Sequence, residues 1–271
     1  MPRKVAYAMS MLLADAHYFL SKKDRLSVTS NLTVVLGGGR VPSKMVRNVF
    51  RNFGKYLVDF FTQTKYLNGD FISKHVHLNN AEYLNDVLTQ KKGCIIVSAH
   101  LGNWELAGAV MAKLGYPLSI VALPHQDARV NAFFNKQREF FGTIVIPTNM
   151  AIRRCVEHIR NNRILAILAE RDFTQHGIPV NFFGKPTLIP KGAALFSLKT
   201  GAPIVPAFFL RTENDDFKIE ILEPIYPKQC GVKAKISDQD VKDLISQYAC
   251  IIENQIRKYP DQWLMFRKFE I

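Results

Sequence analysis

His100 and Glu105, in the stretch GCIIVSAHLGNWELAG at 93–108, are residues whose types could do acid-base chemistry together. A neutral imidazole can take a proton from a hydroxyl near neutral pH when a carboxylate fixes its tautomer and stabilises the imidazolium. The spacing alone is weak evidence, because His77 and Glu82 are also five residues apart. The hypothesis that His100 is a general base oriented by Glu105 therefore depends on the setting of the pair.

That setting is the end of a predicted strand. The apolar run CIIVSA, at 94–99, precedes His100, Gly102 permits a tight turn, and Asn103 can cap the helix that carries Glu105. In α/β sheets, ligands usually bind beyond the carboxyl ends of the strands. The structural alternative is that the helix dipole favours Glu105 in a first turn whatever His100 does.

The elements around this pair alternate between short apolar runs and helical stretches. From residue 93 the order is CIIVSA, NWELAGAVMAKLG, LSIVAL, ARVNAFFNKQREFFG, TIVI, AIRRCVEHIRNN and ILAILAE. This alternation indicates crossover units, and so an α/β fold with a mixed, largely parallel sheet and helices on both faces. We predict further strands in IPVNFFG, PIVPAFFL and DFKIEIL, a hairpin near RTENDD, a helix in PKGAALFSLKTG, and a last helix over about 238–259.

The first 90 residues have the pattern of helices. Apolar side chains recur at helical spacing in PSKMVRNVFRNFGKYLVDFFTQ, after the start signals Pro42 and Ser43. The segment RKVAYAMSMLLADAHYFLSKK is either an amphipathic helix on a membrane surface or a helix packed on the domain. We predict a helical N-terminal extension over 1–90 and an α/β core over 91–271 that forms a single structural unit.

Charge and composition limit the class of protein. The 271 residues include 36 Lys and Arg against 23 Asp and Glu, and the net charge of +13 suits phosphates, anionic lipid or an acidic protein. The cysteines Cys94, Cys155, Cys230 and Cys250 form no CxxC pair, so we expect reduced thiols in a cytoplasmic setting. No apolar run is long enough for a membrane-spanning helix.

The motifs of several other chemistries are missing from the sequence. There is no GxSxG elbow, HExxH, GxxxxGK[ST] or GxGxxG, and HVH at 75–77 has no acidic or thiol ligand close by, so we expect no metal. Without a protein nucleophile, the simplest reaction for His100 is to activate a bound hydroxyl that attacks an activated acyl group.

Three blocks resemble the late lipid A acyltransferases, which are lauroyl and myristoyl transferases, and their relatives that acylate phosphatidylinositol mannosides. The blocks are AHLGNWELAG, AERDFTQHGIPVNFFGKPTLIPKGAALFSLKTGAPIVPAFFLR and YPDQWLMFRKF. The resemblance implies transfer of a fatty acyl chain from acyl carrier protein or acyl-CoA to a hydroxyl of a membrane glycolipid. It implies a sandwich fold at the cytoplasmic face of the inner membrane, and no cofactor other than the thioester co-substrate.

The resemblance also assigns residues by position. The His-x4-Asp/Glu motif of the family falls on His100 and Glu105. Glu170 and Asp172 of AERDF become residues that support or orient the site, or else members of an ion-pair cluster with Arg171. The residues assigned to substrate binding are Asn103, Arg138, Arg171, Phe182, Phe183 and Gly184. The alternatives are a surface position for Arg138, whose guanidinium suits phosphate, and plain core positions for the two phenylalanines.

We therefore expect an acyltransferase of lipid A and lipopolysaccharide biosynthesis that acts on a lipid A type glycolipid at an anionic membrane surface. One alternative is a phosphatidylinositol mannoside or another phospholipid as acceptor. Another is a noncatalytic lipid-binding module, because a fold does not settle a function. Nucleic acid is not an expected partner, since only the pI of 9.6 suggests it.

Overall fold

The computed structural model of the protein describes residues 2–148, 151–172, 175–228 and 236–269, and these contain nine strands and ten α-helices. The strands are β1 (Val76–Asn79), β2 (Cys94–Ser98), β3 (Leu118–Ala122), β4 (Ile144–Pro147), β5 (Ile164–Leu168), β6 (Ile178–Phe182), β7 (Lys185–Ile189), β8 (Ile204–Arg211) and β9 (Phe217–Ile221). The helices are α1 (Arg3–Leu20), α2 (Lys22–Val35), α3 (Ser43–Tyr66), α4 (Gly69–His75), α5 (Ala81–Thr89), α6 (Trp104–Lys113), α7 (Ala128–Glu139), α8 (Ala151–Arg160), α9 (Gly192–Thr200) and α10 (Asp238–Lys258).

Seven strands form one sheet in the order β1-β9-β8-β2-β5-β3-β4, and β6 pairs with β7 in a separate hairpin. Within the seven-stranded sheet only β8 and β9 pair in antiparallel orientation, so the sheet is mixed and largely parallel, as predicted. The tight connection between β8 and β9 is the hairpin expected near RTENDD. The predicted α/β class is therefore confirmed.

Helices cover both faces of this sheet because its central strands are apolar on both sides. On one face, Ile95 and Val97 of β2 pack in a core with residues of α8, α9 and α10. On the other face, Cys94 and Ile96 pack in a second core with residues of α4, α5 and α6. Of the cysteines, Cys94 and Cys155 are buried free thiols and Cys250 is an exposed one, whereas Cys230 lies outside the described residues.

The N-terminal helices build a third core. Val28 and Leu32 of α2 pack there with Val46, Val49 and Phe50 of α3. Helix α3 begins at the predicted Ser43 and is preceded by Pro42. Within the described ranges, no helix is long and apolar enough to cross a bilayer.

Two strands were not predicted. β1 lies within the first 90 residues, where we expected helices, and it extends the main sheet by parallel pairing with β9. Four residues are too few to show a clear alternation of apolar and polar side chains in the sequence. The strand forms because the segment pairs with β9, which the local sequence does not reveal. β7 follows β6 after a turn at Phe183 and Gly184, both with positive φ, which is the backbone of a two-residue hairpin turn.

Candidate active site

The carboxyl ends of β2 and β5 bring two ionisable residues together. Ser98 of β2 and Leu168 of β5 are register partners in adjacent parallel strands. His100 and Glu170 each follow two residues later, so both lie at the same edge of the sheet. The edge predicted for ligand binding therefore carries this pair, here called the His100–Glu170 pair.

The geometry of the His100–Glu170 pair fixes the imidazole. Nδ1 of His100 lies 2.6 Å from Oε1 of Glu170, and the backbone N–H of His100 donates to the same oxygen at 2.9 Å. The Glu170 side chain is fully buried, whereas 25% of the His100 side chain is exposed. With the proton on Nδ1 donated to the carboxylate, Nε2 keeps its lone pair and has no hydrogen-bond partner in the described parts of the chain.

Burial and charge oppose each other in the pair. Burial lowers the pKa of His100, but the charge of Glu170 and its hydrogen bond raise that pKa more, so the net shift is upward. Burial likewise raises the pKa of Glu170, and the charge and hydrogen bonds of His100 lower it more, so the net shift is downward. The carboxylate thus stays ionised and supports an imidazole that gains a proton readily.

Glu105 does not contact the ring of His100, contrary to our hypothesis. Its carboxylate forms a two-pronged ion pair with Arg138 of α7, with Nη2 to Oε1 at 2.6 Å and Nε to Oε2 at 3.0 Å. The second position of α6 directs Glu105 toward α7, and Nδ1 of His100 is already occupied by Glu170. Glu170, expected as a residue that supports or orients the site, is the residue whose carboxylate contacts Nδ1 of His100.

A cavity of about 820 Å³ opens beside His100 and is lined mainly by apolar side chains. It runs between the sheet and α6: Ser98 and Leu168 lie at the outer level, Ile96, Ala166 and Ile120 at the next level, and Leu118 at the innermost level. With a rise of about 3.3 Å per strand residue, these levels span roughly 13 Å. On the opposite wall, the small residues Ala107, Gly108 and Ala109 of α6 leave room in the cavity.

Part of the cavity lining is charged. Arg138, Arg171 and Asp172, all predicted site residues, line the cavity together with Lys191. Asp172 also accepts a hydrogen bond from the backbone N–H of Gly177 at 2.6 Å. The structure therefore brings these three predicted residues to the same cavity as His100.

Four of the residues predicted to bind substrate are not among those that line this cavity. Asn103 is buried and caps α6 by accepting from the backbone N–H of Leu106 at 3.1 Å. Phe182 and Phe183 are core residues packed against Phe269 and Trp263, because the strand β6 faces α10 rather than the site. Gly184 serves the β6–β7 turn with φ of 79°.

Trp104 and Gly108 are site residues that the sequence did not reveal. The Trp104 ring meets the His100 ring edge-on at 4.9 Å between centroids, and Gly108 lines the cavity. Both belong to α6 and are four residues apart, and this helical spacing was the signal available in the sequence. Which face of α6 covers the cavity is decided by packing, so the spacing alone could not select them.

The sequence profile of the family described as bacterial lipid A biosynthesis acyltransferase matches residues 1–269. The chain belongs to this acyltransferase family. The family resemblance predicted from the three sequence blocks is thereby confirmed, and the match extends over the N-terminal helices as well as over the sheet. In this member of the bacterial lipid A biosynthesis acyltransferase family, the His-x4-Glu motif supplies His100 to the site and Glu105 to the ion pair with Arg138.

Individual relatives carry the names of two kinds of acyltransferase. The chain is 28% identical over 199 residues to a phosphatidylinositol mannoside acyltransferase of Mycobacterium tuberculosis, covering 70% of this chain and 63% of that protein. It is 25% identical over 268 residues to the protein of that name from Mycolicibacterium smegmatis, covering 97% and 84%. It is 20% identical over 152 residues to a lipid A biosynthesis acyltransferase of Haemophilus influenzae, covering 55% and 48%. The chain thus spans less than two thirds of the Mycobacterium tuberculosis relative.

Proposed function

We propose that this protein is an O-acyltransferase that moves a fatty acyl chain from a thioester to a hydroxyl of a glycolipid. The observation that carries the proposal is a carboxylate-oriented imidazole, with Nε2 unpartnered in the described structure, beside a long apolar cavity. In this mechanism His100 is the general base and Glu170 orients it.

The reaction needs one proton acceptor and no protein nucleophile. Nε2 of His100 takes the proton of the acceptor hydroxyl as its oxygen attacks the thioester carbonyl carbon. The carbon–sulfur bond then breaks, the new ester forms, and the imidazolium returns its proton to the leaving thiolate. Glu170 stabilises the imidazolium throughout, because its carboxylate is ionised and contacts Nδ1 at 2.6 Å.

The cavity suits the acyl chain. Its volume of about 820 Å³ falls within the ordinary range of roughly 300–1,000 Å³ for ligand pockets, and its inner wall presents Ile96, Leu118 and Ile120. An extended chain that enters beside His100 would bury its methylenes between α6 and the sheet. The basic side chains Arg171 and Lys191 of the cavity lining suit a phosphate group, which both acyl carrier protein thioesters and CoA thioesters contain.

The acceptor in this proposal is a membrane glycolipid. The names of the relatives support two classes, a lipid A type glycolipid and a phosphatidylinositol mannoside. The alignment over 97% of this chain with the Mycolicibacterium smegmatis protein favours including the second class in every assay. Both classes of acceptor carry hydroxyl groups that could serve as the nucleophile.

Helix α1 supports attachment to a membrane surface, for which the sequence resemblance implies the cytoplasmic face. Its side chains Leu12, Leu13 and Leu20 are 71%, 73% and 84% exposed, which is unusual for large apolar residues on one helix. The net charge of +13 would add attraction to anionic lipid. We infer peripheral attachment by this helix and by surface charge.

The decisive experiment measures free-thiol release from acyl carrier protein and CoA thioesters, with lipid A precursor or phosphatidylinositol mannoside as acceptor. We expect acceptor-dependent release by the wild type and a loss of roughly 10² to 10⁴ in rate for His100→Ala. His77→Ala is the matched control, because His77 is an exposed histidine of β1 with the same spacing to a glutamate. A folded His100→Ala with wild-type activity would contradict the assignment.

The same assay separates the proposed enzyme from a noncatalytic lipid-binding module. Such a module would bind lipid vesicles and release no thiol with any donor and acceptor combination. That result would reject the acyltransferase proposal and leave the cavity as a lipid-binding site.

A further inference from the structure

Asp59 of α3 is a buried carboxylate next to the candidate site but outside its cavity. Its side chain is fully buried, and it accepts hydrogen bonds from four residues, which belong to α1, α3, β8 and the turn before α6. Oδ1 accepts from the hydroxyls of Tyr7 and of Tyr66, the latter at 3.2 Å. Oδ2 accepts from the guanidinium of Arg211 and from Nδ2 of Asn103, the latter at 3.0 Å.

A stable buried ion pair explains only part of this arrangement. A buried carboxylate needs an opposite charge and hydrogen bonds, and Arg211, which is 8% exposed, supplies the charge. Tyr7 and Tyr66 supply two more donors. The bond to Asn103 adds a direct connection from α3 to the turn that carries His100.

The oxygen and the nitrogen of the Asn103 side-chain amide form different hydrogen bonds. Its Oδ1 accepts from the backbone N–H of Leu106 and so caps α6, while its Nδ2 donates to Asp59. The two ends of the amide are thus fixed in opposite directions, which holds the side chain in one orientation. Its own backbone N–H donates to the carbonyl of Phe209 at 2.9 Å. Asn103 therefore joins the sheet, α3 and the first turn of α6.

This first turn adjoins the catalytic histidine. His100 is three residues before Asn103, and Trp104, the first residue of α6, contacts the His100 ring at 4.9 Å between centroids. A rotation of the Asn103 amide would shift the start of α6 and the ring that packs on His100. Misplacement of reacting groups by about 1 Å can cost on the order of 10²-fold in rate.

The hydrogen bonds of Asp59 also reach α1, through Tyr7. Tyr7 of α1 is 3% exposed, and its hydroxyl contacts Asp59 and accepts from Arg211 at 2.9 Å and from Arg3 at 2.7 Å. The same helix carries the exposed leucines on its opposite side. One carboxylate thus contacts both the helix that faces outward and the turn that positions His100.

We propose that Asp59 is a positioning residue for His100, acting through Asn103, and that its contact with Tyr7 makes the seating of α1 a condition for full activity. This inference rests on the proposed acyl transfer. It predicts that loss of the Asn103 or Tyr7 contact slows the reaction step, whereas loss of the Tyr66 contact does not, although all three residues bind the same carboxylate.

The first test uses three variants assayed by thioester turnover. Asn103→Ser keeps a good helix cap and loses the amide donor, so we expect kcat to fall at least 10-fold with the donor KM within about threefold. Tyr7→Phe removes only one hydroxyl, and we expect kcat to fall several-fold. Tyr66→Phe is the matched control, with wild-type kcat and a similar change in Tm. Equal kcat values for all three variants would overturn the proposal, and so would a uniform loss that follows Tm.

A measurement without turnover separates this inference from the proposed function. Amide hydrogen exchange at Leu106 should accelerate in Tyr7→Phe and stay at the wild-type rate in Tyr66→Phe. The reason is that Tyr7 connects α1 to Asp59 and so to Asn103, whereas Tyr66 lies on the same helix as Asp59. If the wild type releases no thiol while this difference is present, the acyltransferase proposal fails and the mechanical link stands. Equal exchange rates in both variants would overturn the link.

Discussion

At the scale of single residues, the two glutamates near His100 have different partners. Glu170 contacts Nδ1 of His100, and Glu105 contacts Arg138. Both carboxylates are buried, but only Glu170 can raise the basicity of the imidazole through a direct hydrogen bond. The sequence motif therefore places His100 at the site, whereas the carboxylate that contacts its ring belongs to a residue 70 positions away.

The pH dependence of kcat should report this difference. The base acts as neutral imidazole, so kcat rises with pH through the pKa of His100, and Glu170 holds that pKa above the ordinary histidine value. Glu170→Gln removes the charge that raises the pKa, while burial and Arg171 still lower it. We expect the midpoint of the pH profile to move to lower pH and the plateau kcat to fall by about 10²-fold, measured by thiol release from pH 5 to 9.

Glu105→Gln is the matched variant for that experiment. It removes the charge that pairs with Arg138 and leaves the hydrogen bond to Nδ1 in place. Its midpoint should move less than that of Glu170→Gln. A larger displacement for Glu105→Gln would favour the original assignment of Glu105 as the residue that orients His100.

At the scale of elements, α6 and the sheet together form the cavity proposed for the acyl chain. Gly108 and Leu118 both line the cavity, and a Cβ at Gly108 would lie 3.7 Å from Cδ2 of Leu118. A methyl group fits there in ordinary contact, whereas a longer side chain must occupy the cavity. The size of residue 108 should therefore decide how much hydrocarbon enters.

Gly108→Leu should shift the preference toward shorter acyl chains. Burying one methylene is worth about 0.8 kcal/mol, so excluding two of them should change the ratio of kcat/KM for long and short thioesters roughly 10-fold or more. Gly108→Ala is the control and should leave the ratio close to that of the wild type. An unchanged ratio in an active Gly108→Leu would place the acyl chain elsewhere.

At the scale of the whole molecule, surface charge and the apolar side of α1 should act together on a membrane. Electrostatic attraction is screened over about 8 Å at physiological ionic strength, so raising salt should weaken binding to vesicles that contain anionic phospholipid. Leu12→Ser combined with Leu13→Ser should weaken binding at every salt concentration, by on the order of 10-fold, because two exposed leucines no longer enter the lipid.

Leu114→Ser is the control for vesicle cosedimentation. Leu114 is 42% exposed and lies at the end of α6 rather than on α1. Its replacement should leave binding unchanged. Binding that is indifferent to salt and equal in both variants would reject attachment through charge and α1.

The sequence by itself determined the order and type of most elements from β2 onward, the start of α3, the place of His100 after a strand, and the family. These features are local, because periodicity, helix caps and turn residues act within a few positions along the chain. Sequence blocks in a fixed order then carried the family assignment, which the match over 1–269 confirms.

Only the tertiary structure decided which carboxylate meets His100. The order of strands in the sheet places β5 beside β2 and so Glu170 beside His100, while the orientation of α6 turns Glu105 to Arg138. The pairing of β1 with β9 and the cluster around Asp59 arise in the same way. Their physical cause is nonlocal burial of apolar surface and of paired charges, which no spacing along the chain can express.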